Sequence, residues 1–132
     1  MGADILHTGH LNIINKAKNY GKIIIGLFTD SAIAEYKSLP LINYSQRLEI
    51  MKNLKGIYKI VKQDTWDYSK NLYKIKPDYL IHGDDWKVGI QKKTRAKVIS
   101  ILKKWSGKLI EIPYTKEPQI KDNKKNVQNI FF

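Results

Sequence analysis

The chain has 132 residues, none of them cysteine, and its 12 acidic residues are outnumbered by 24 basic ones. Without cysteine there can be no disulfide framework, thiolate zinc site, iron–sulfur cluster or cysteine nucleophile. No apolar run approaches the roughly 18 residues of a membrane span. The residues up to His10 also lack the cationic and apolar segments of a secretory leader. We therefore expect a cytoplasmic protein without a membrane partner.

The formal net charge of +12 predicts anionic partners. Charge alone does not choose among nucleotides, nucleic acid and an acidic surface, and a solvated basic surface is the simpler alternative. The length allows one hydrophobic core. We expect one domain over residues 1–115, followed by a polar tail over residues 116–132.

Apolar stretches of strand length alternate with stretches of helical period. The predicted strands are Lys22–Thr29, Tyr58–Val61, Tyr79–His82 and Lys108–Ile112. The predicted helices are His10–Asn19, Asp30–Tyr36, Ser45–Asn53, Tyr68–Ile75 and Ile90–Trp105, with Asp30 or Ser31 capping the second and Ser45 the third. This order predicts an α/β fold, a Rossmann-like parallel sheet with helices on both faces.

The start of the chain departs from that fold. Met1-Gly2-Ala3-Asp4 leads almost directly into a loop and a helix, whereas a sheet of this class normally opens with a central strand. We expect either a sheet that lacks its first strand or a truncated sequence.

Two histidines flank a glycine in His7-Thr8-Gly9-His10, at the start of the first predicted helix. The N–H groups and dipole of a helix N-terminus favour anions, Gly9 lets a phosphate approach the main chain, and imidazoles can neutralise and donate to phosphate oxygens. One alternative is a helix start with incidental polar residues. Another is a zinc site formed by His7, His10 and His82.

A second polar cluster, His82-Gly83-Asp84-Asp85-Trp86, follows the third predicted strand. It therefore lies at the carboxyl edge of the sheet, where ligands bind in open α/β folds. Carboxylates beside an indole can hold an ammonium group or hydrogen-bond a base, although a polar turn that caps the next helix is the plainer interpretation. Lys37 is expected on the same edge, unless it is an ordinary surface lysine.

Taken together and in order, these segments resemble the cytidylyltransferase family of nucleotidyltransferases. The resemblance spans Asp4 to Thr115 and rests on H-x-G-H at a helix start, T-D after a strand, Y-K-x-x-P, Q-R opening a helix and H-G-D-D-W after a later strand. Within the family, the chain is most similar to the phosphonate cytidylyltransferase domain that accompanies phosphoenolpyruvate mutase. The Ser/Thr-rich triphosphate segment of the family is replaced here by Lys116-Glu117-Pro118-Gln119-Ile120.

The resemblance implies a role for each matching residue. It implies that His7, His10 and Lys37 are catalytic and that Asp4 lies near a Mg²⁺ ion. It places the nucleotide against Gly9, His10, His82, Gly83 and Asp84, and the acceptor against Asp85 and Trp86. It also implies a homodimer.

The implied reaction transfers CMP from CTP to a phosphonate or phosphate, with release of pyrophosphate. The expected acceptor is 2-aminoethylphosphonate, because its amine suits the Asp85 and Trp86 pair. Phosphocholine, phosphoethanolamine and glycerol 3-phosphate are alternative acceptors. A basic nucleic-acid-binding domain or a degenerate nucleotide-binding domain is the alternative of another class. No nucleic-acid recognition motif is present, however, and we expect no nucleic acid as a partner.

Overall fold

Strands and helices alternate along the chain in a computed structural model that describes residues 1–4, 6–35, 38–87 and 89–113. The helices are α1 (Thr8–Ala17), α2 (Asp30–Ala34), α3 (Tyr44–Lys52), α4 (Ser69–Ile75) and α5 (Lys92–Leu102). The strands are β1 (Ile23–Phe28), β2 (Ile57–Gln63), β3 (Tyr79–Gly83) and β4 (Lys108–Ile112). Short 3₁₀ turns follow α1, β3 and α5. The predicted order of elements is confirmed.

All strand pairs in the described part of the chain are parallel, as predicted, but they form two sheets. β1 pairs with β2, from Ile23 opposite Ile57 to Phe28 opposite Gln63. β3 pairs with β4, from Tyr79 opposite Lys108 to Gly83 opposite Ile112. No pairing joins β1 to β3 among the described residues. In the described part of the chain, the expected single sheet is therefore present as two half-sheets, β1–β2 and β3–β4.

The half-sheets carry helices on both faces, because neighbouring side chains of a strand point to opposite faces. Ile23, Ile25 and Leu27 of β1 pack with residues of α1 and α3. Phe28 lies on the other face, in a separate cluster with Ala32 and Ile33 of α2. A third cluster joins α4, α5, β3 and β4 around Trp86. The β1–β2 half-sheet and the β3–β4 half-sheet thus have separate hydrophobic clusters.

The first three helices differ from the prediction in their first residue or in the residue that caps them. α1 begins at Thr8 rather than His10, because the His7 side chain caps it. Thr29, not Asp30 or Ser31, caps α2. Asn43, not Ser45, caps α3 by accepting from the Gln46 backbone N–H at 3.0 Å. In each case an acceptor side chain earlier in the sequence takes the capping position.

Two predicted features fall where the structure gives no description. Lys37 and the whole predicted polar tail, residues 116–132, lie outside the described residues. The expectations for both therefore remain predictions. Within the described ranges, no helix combines the length and apolar character required to cross a membrane.

Candidate active site at the start of the first helix

His7 and His10 form a reciprocal cap at the start of α1. The Nδ1 atom of His7 accepts a hydrogen bond from the Gly9 backbone N–H at 3.0 Å. The His7 backbone N–H donates in turn to Nδ1 of His10 at 3.3 Å. This is the arrangement of a capping box, with imidazoles in place of the usual hydroxyl and carboxamide groups. Both rings are therefore tied to the backbone at the helix start, and whether they also bind a ligand stays a prediction.

These bonds also determine where each ring carries its proton. Because Nδ1 of each histidine accepts from a backbone N–H, the proton of each neutral ring lies on Nε2. The ring centroids are 4.2 Å apart. The two Nε2–H groups are therefore neighbouring donors at a helix N-terminus, where backbone N–H groups also favour an anion.

The His10 ring is not a cation at neutral pH. Burial, reinforced by the neighbouring His7, lowers the pKa of His10 to about 4. The expectation that both imidazoles neutralise phosphate charge stays a prediction, and in the free protein burial favours the uncharged His10 ring. Its ring offers a hydrogen-bond donor rather than a positive charge.

Gly9 is required by the His7 ring. A Cβ atom placed on Gly9 would lie 2.6 Å from Cε1 of His7 and 2.9 Å from its Nδ1. The absence of a side chain therefore makes room for the imidazole that caps the helix. The role predicted from sequence, close approach of a phosphate to the Gly9 main chain, stays a prediction.

Asp4 holds the loop that precedes α3 through two hydrogen bonds. Its two carboxylate oxygens accept from the backbone N–H groups of Leu41 at 3.1 Å and Ile42 at 3.0 Å. Among the described residues, no group of three or more histidine, cysteine, aspartate or glutamate side chains is placed to hold a metal. The geometry does not provide a protein-built site for Mg²⁺ at Asp4 or for zinc at His7, His10 and His82. The metal role of Asp4 stays a prediction.

Arg47 is the residue of this region that sequence analysis missed. Its side chain is 0% exposed and forms an ion pair with Asp30 at 2.7 Å. The guanidinium also donates to three backbone oxygens, those of Gly2, Phe28 and Ile42. It therefore ties the first loop, the end of β1 and the loop before α3 to one point. Only its occurrence in the Q-R pair at the start of a helix was visible in the sequence.

The second polar cluster is built around a buried indole. Trp86 is 1% exposed, and the ring of His82 lies flat on it, with centroids 3.7 Å apart and planes at 4°. The indole Nε1–H of Trp86 donates to the Glu111 carboxylate at 3.3 Å, and the Arg95 guanidinium donates to the same carboxylate at 2.6 Å. The indole therefore has little surface for an acceptor, and its role as an acceptor-binding group stays a prediction.

His82 is oriented by its own neighbours. Its Nδ1–H donates to the Gly83 carbonyl at 2.8 Å, which leaves Nε2 as the acceptor of the neutral ring. Burial lowers the pKa of His82, while that carbonyl and Asp85 act in the opposite direction. The Asp85 side chain is 67% exposed, with Oδ1 3.8 Å from Nδ1 of His82. Of the two residues predicted to bind the acceptor, Asp85 is the accessible one.

The two polar clusters belong to adjoining elements. α1 packs against β3, and a Cβ atom on Gly83 would lie 3.9 Å from Cδ1 of Ile13. The end of β3 that carries His82 and Gly83 is the carboxyl end of its half-sheet. This is the edge at which open α/β folds bind ligands.

The sequence model of the cytidylyltransferase-like family matches residues 3–125 of this chain. The chain belongs to the cytidylyltransferase-like family. The match includes the His7, His10 and His82 segments described above. It establishes the family that the sequence motifs predicted.

The chain is similar to proteins that carry the names of two different enzymes. An FAD synthase of Methanothermus fervidus is 37% identical over 86 residues, which are 62% of this chain and 59% of that protein. An ethanolamine-phosphate cytidylyltransferase of Arabidopsis thaliana is 30% identical over 88 residues, 62% of this chain and 21% of that protein. The chain thus spans about three fifths of the length of the FAD synthases it matches. Neither protein carries the predicted phosphonate specificity in its name.

The fold has a close counterpart among solved structures. The lipopolysaccharide core biosynthesis protein from Thermoplasma volcanium GSS1 superposes with a TM-score of 0.70 at 23% identity, over 89% of this chain and 93% of that one. At this identity the likeness concerns the fold alone. It supports the α/β architecture with parallel strands.

Proposed function

We propose that the protein transfers a nucleotidyl group from CTP to an anionic oxygen of a small amine-bearing phosphate or phosphonate, with release of pyrophosphate. The observation that carries this proposal is the pair of Nε2–H donors of His7 and His10 at the N-terminus of α1. Neighbouring donors at a helix N-terminus suit the phosphates of a nucleotide.

In the proposed reaction, an acceptor oxygen attacks the α-phosphorus and the bond from that phosphorus to the bridging oxygen breaks. The electron pair leaves with pyrophosphate. A phosphate monoester is already largely dianionic near neutral pH, since its second pKa is about 6, so no general base is required. The protein then acts by positioning and by donating hydrogen bonds to the oxygens that gain charge. The uncharged His10 ring fits this role as a fixed donor.

The proposed acceptor carries an amine because the accessible carboxylate beside the site is that of Asp85. An ammonium group is its natural partner. The similarity to an ethanolamine-phosphate cytidylyltransferase is consistent with such an acceptor. Both 2-aminoethylphosphonate and phosphoethanolamine fit the proposal, since they differ only in a bridging oxygen. Mg²⁺ would enter with the triphosphate, because that ion is commonly held by substrate phosphates and water.

A second candidate is transfer of AMP from ATP to the phosphate of FMN, which is the reaction of an FAD synthase. The 37% identity to such a protein favours it. The chemistry at the α-phosphorus is the same, and only the base and the acceptor differ. The histidine pair suits either nucleotide.

A matrix of pyrophosphate-release assays tests these alternatives. CTP and ATP are each combined, with Mg²⁺, with 2-aminoethylphosphonate, phosphoethanolamine, phosphocholine, glycerol 3-phosphate and FMN. We expect release with CTP and the primary amines. Release with ATP and FMN alone would replace the proposal by the second candidate, and a preference for glycerol 3-phosphate would remove the argument from Asp85. If calorimetry detects neither nucleotide and a DNA duplex binds with steep salt dependence, the alternative of a nucleic-acid-binding domain is favoured instead.

A further inference from the structure

The connections that lead from a helix into the following strand lie at the amino ends of the strands. They are residues 18–22, 53–56, 76–78 and 103–107. Together with the first two residues of each strand, we call them the amino edge. α1 has 10 residues and separates this edge from the histidine pair by about 15 Å. The amino edge is therefore a surface distinct from the candidate active site.

Every connection of the amino edge contains at least one exposed lysine. These lysines are Lys18, Lys22, Lys55, Lys76, Lys103 and Lys104, and the exposed Lys108 begins β4. Within the described residues of this edge, Asp78 is the acidic residue. At the opposite edge, carboxylates follow the ends of three strands: Asp30, Asp64, Asp67, Asp84 and Asp85. The amino edge thus holds an excess of positive charge, which attracts anions.

Three tyrosine rings are exposed among these lysines. Tyr58, in the second position of β2, is 63% exposed. Tyr20 and Tyr79, on either side of the gap between the half-sheets, are 44% and 40% exposed. Tyrosine has an apolar ring with a polar tip, so it can present a ring to a ligand at a wet surface. The amino edge therefore combines positive charge with accessible aromatic rings.

Contacts join these side chains into one surface. The ammonium group of Lys22 lies 4.6 Å from the centroid of the Tyr58 ring. The Tyr20 ring meets the Tyr79 ring edge-on, with 5.1 Å between centroids. Tyr79 in turn lies opposite Lys108 in the pairing of β3 with β4. The surface therefore extends from β2 across β1 to β3 and β4.

Helix dipoles explain only part of this pattern. Lys16, Lys52 and Lys74 lie in the last turns of α1, α3 and α4, where a cation is favoured. The dipole effect falls off within that turn, so it does not explain Lys22 or Lys108, which lie beyond the helices. It also gives no reason for the exposed tyrosines. A ligand that is both anionic and aromatic accounts for the lysines and the rings together.

We propose that the amino edge binds single-stranded nucleic acid, with bases stacked on Tyr20, Tyr58 and Tyr79 and phosphates on the neighbouring lysines. Stacking of bases on aromatic rings tolerates any sequence. The sequence lacks a recognition motif and so predicted no nucleic-acid partner, whereas a surface that reads no base needs no such motif. The inference does not depend on the proposed function, because the two surfaces lie at opposite ends of α1.

Two other anionic partners fit this surface less well. A duplex keeps its bases stacked on one another, so their faces are not available to the tyrosines. An anionic membrane would be expected to contact exposed aliphatic side chains as well as lysines. The two most exposed large aliphatic side chains among the described residues, Leu39 and Leu41, instead lie in the loop before α3, at the opposite edge.

Fluorescence anisotropy with labelled oligouridine and oligothymidine of about 12 nucleotides tests the proposal. We expect at least one of these strands to bind. Tyr58→Leu should weaken binding about fivefold or more, whereas Tyr58→Phe should bind as the wild type does, because the stacking ring is kept. Tyr20→Leu is the second variant should Tyr58→Leu not fold, as judged by thermal unfolding.

The salt dependence of binding tests the lysines. Replacing Lys22 and Lys108 together by glutamine should reduce the slope of log K against log salt by about 0.7 for each lysine that contacts a phosphate. Lys92→Gln with Lys93→Gln is the matched control, since it removes the same charge from exposed positions at the other end of the fold, where α5 begins. This control should leave the slope and the affinity unchanged.

Several results would overturn the proposal. One is that neither strand binds, and another is that a duplex of the same length binds equally well. Equal losses in the control pair would show an effect of net charge alone. His10→Gln and saturating CTP with Mg²⁺ should leave binding unchanged, and displacement by CTP would place the strand at the histidine pair instead. Binding to phosphatidylserine vesicles without binding to either strand would indicate a membrane, and binding that is lost as protein concentration rises would indicate a second copy on this edge.

Discussion

The imidazole of His82 covers the indole of Trp86 in a parallel stack with 3.7 Å between centroids. The indole is otherwise enclosed by the α5 side of the core and by Glu111. Trp86 therefore fixes the position of His82 at the end of β3. In this structure Trp86 supports the neighbouring His82 ring, and its contact with an acceptor stays a prediction.

This arrangement makes Trp86→Phe a structural change. We expect the free energy of unfolding to fall by about 1 kcal/mol, since the bond from Nε1 to Glu111 is lost while an aromatic ring remains under His82. Urea denaturation gives that value, and acceptor KM in the pyrophosphate assay should change little. Asp85→Asn serves as the comparison, because it should raise KM for amine-bearing acceptors without lowering stability. A large rise in KM for Trp86→Phe alone would restore the predicted acceptor contact.

His10→Ala should lower kcat by roughly 10² or more, because a fixed donor to the transition state is removed. His10→Gln separates this effect from folding, since glutamine is a usual residue at the third position of a capping box. We expect His10→Gln to keep the melting temperature of the wild type and still lose turnover. Lys16→Ala, an exposed change on the same helix, is the control. Normal turnover in a folded His10→Gln variant would contradict the proposed role.

Gly9→Ala should displace the His7 ring, since the added methyl group would lie 2.6 Å from Cε1. Turnover should fall while the melting temperature changes little, because alanine favours the helix by about 1 kcal/mol and offsets part of the strain. Gly2→Ala is the matched control, since a Cβ there meets nothing within 4 Å. Kinetics and thermal unfolding of the two variants side by side measure the difference. Equal activity in both would show that the His7 ring is not needed in its present place.

The pKa of His10 predicts how stability depends on pH. In the unfolded chain the group titrates near 6.5, whereas in the folded protein its pKa is about 4. Between these values the unfolded state binds more protons, so stability decreases as pH falls from about 6.5 to about 4. Melting temperatures across this range should decline more steeply for the wild type than for His10→Gln. Parallel curves would show that the ring is protonated in the folded protein as readily as in the unfolded chain.

Arg47→Lys should destabilise the fold by about 3 kcal/mol, because the fully buried guanidinium loses its ion pair with the partly exposed Asp30 and the three backbone carbonyls lose their donor. A lysine has one ammonium group, which cannot serve Asp30 and three separate carbonyls from the same position. Urea denaturation measures the loss. Lys52→Ala, at an exposed position of the same helix, should stay within about 0.5 kcal/mol of the wild type. A stable Arg47→Lys variant would show that the backbone contacts contribute little.

The sequence was sufficient for the strands and their order, because runs such as Ile23–Phe28 are apolar throughout and suit a sheet covered on both sides. It placed the start of α1 two residues late, since histidine is not a residue expected to cap a helix. The buried state of Arg47 could not be predicted, because three of its four partners come from distant positions. The exposure of Trp86 was also beyond prediction, since it depends on packing between α5 and β3. The last two differences concern tertiary contacts, which local patterns do not encode.

The contacts of Arg47 have a consequence for protein engineering. Its acceptors Gly2, Phe28 and Ile42 belong to segments that carry the histidine motif, the turn after β1 and the approach to α3. Grafting any one of these segments from another enzyme would leave an acceptor misplaced around the guanidinium. Chimeras that aim at a new specificity should therefore exchange all three together with the arginine, as a single cassette.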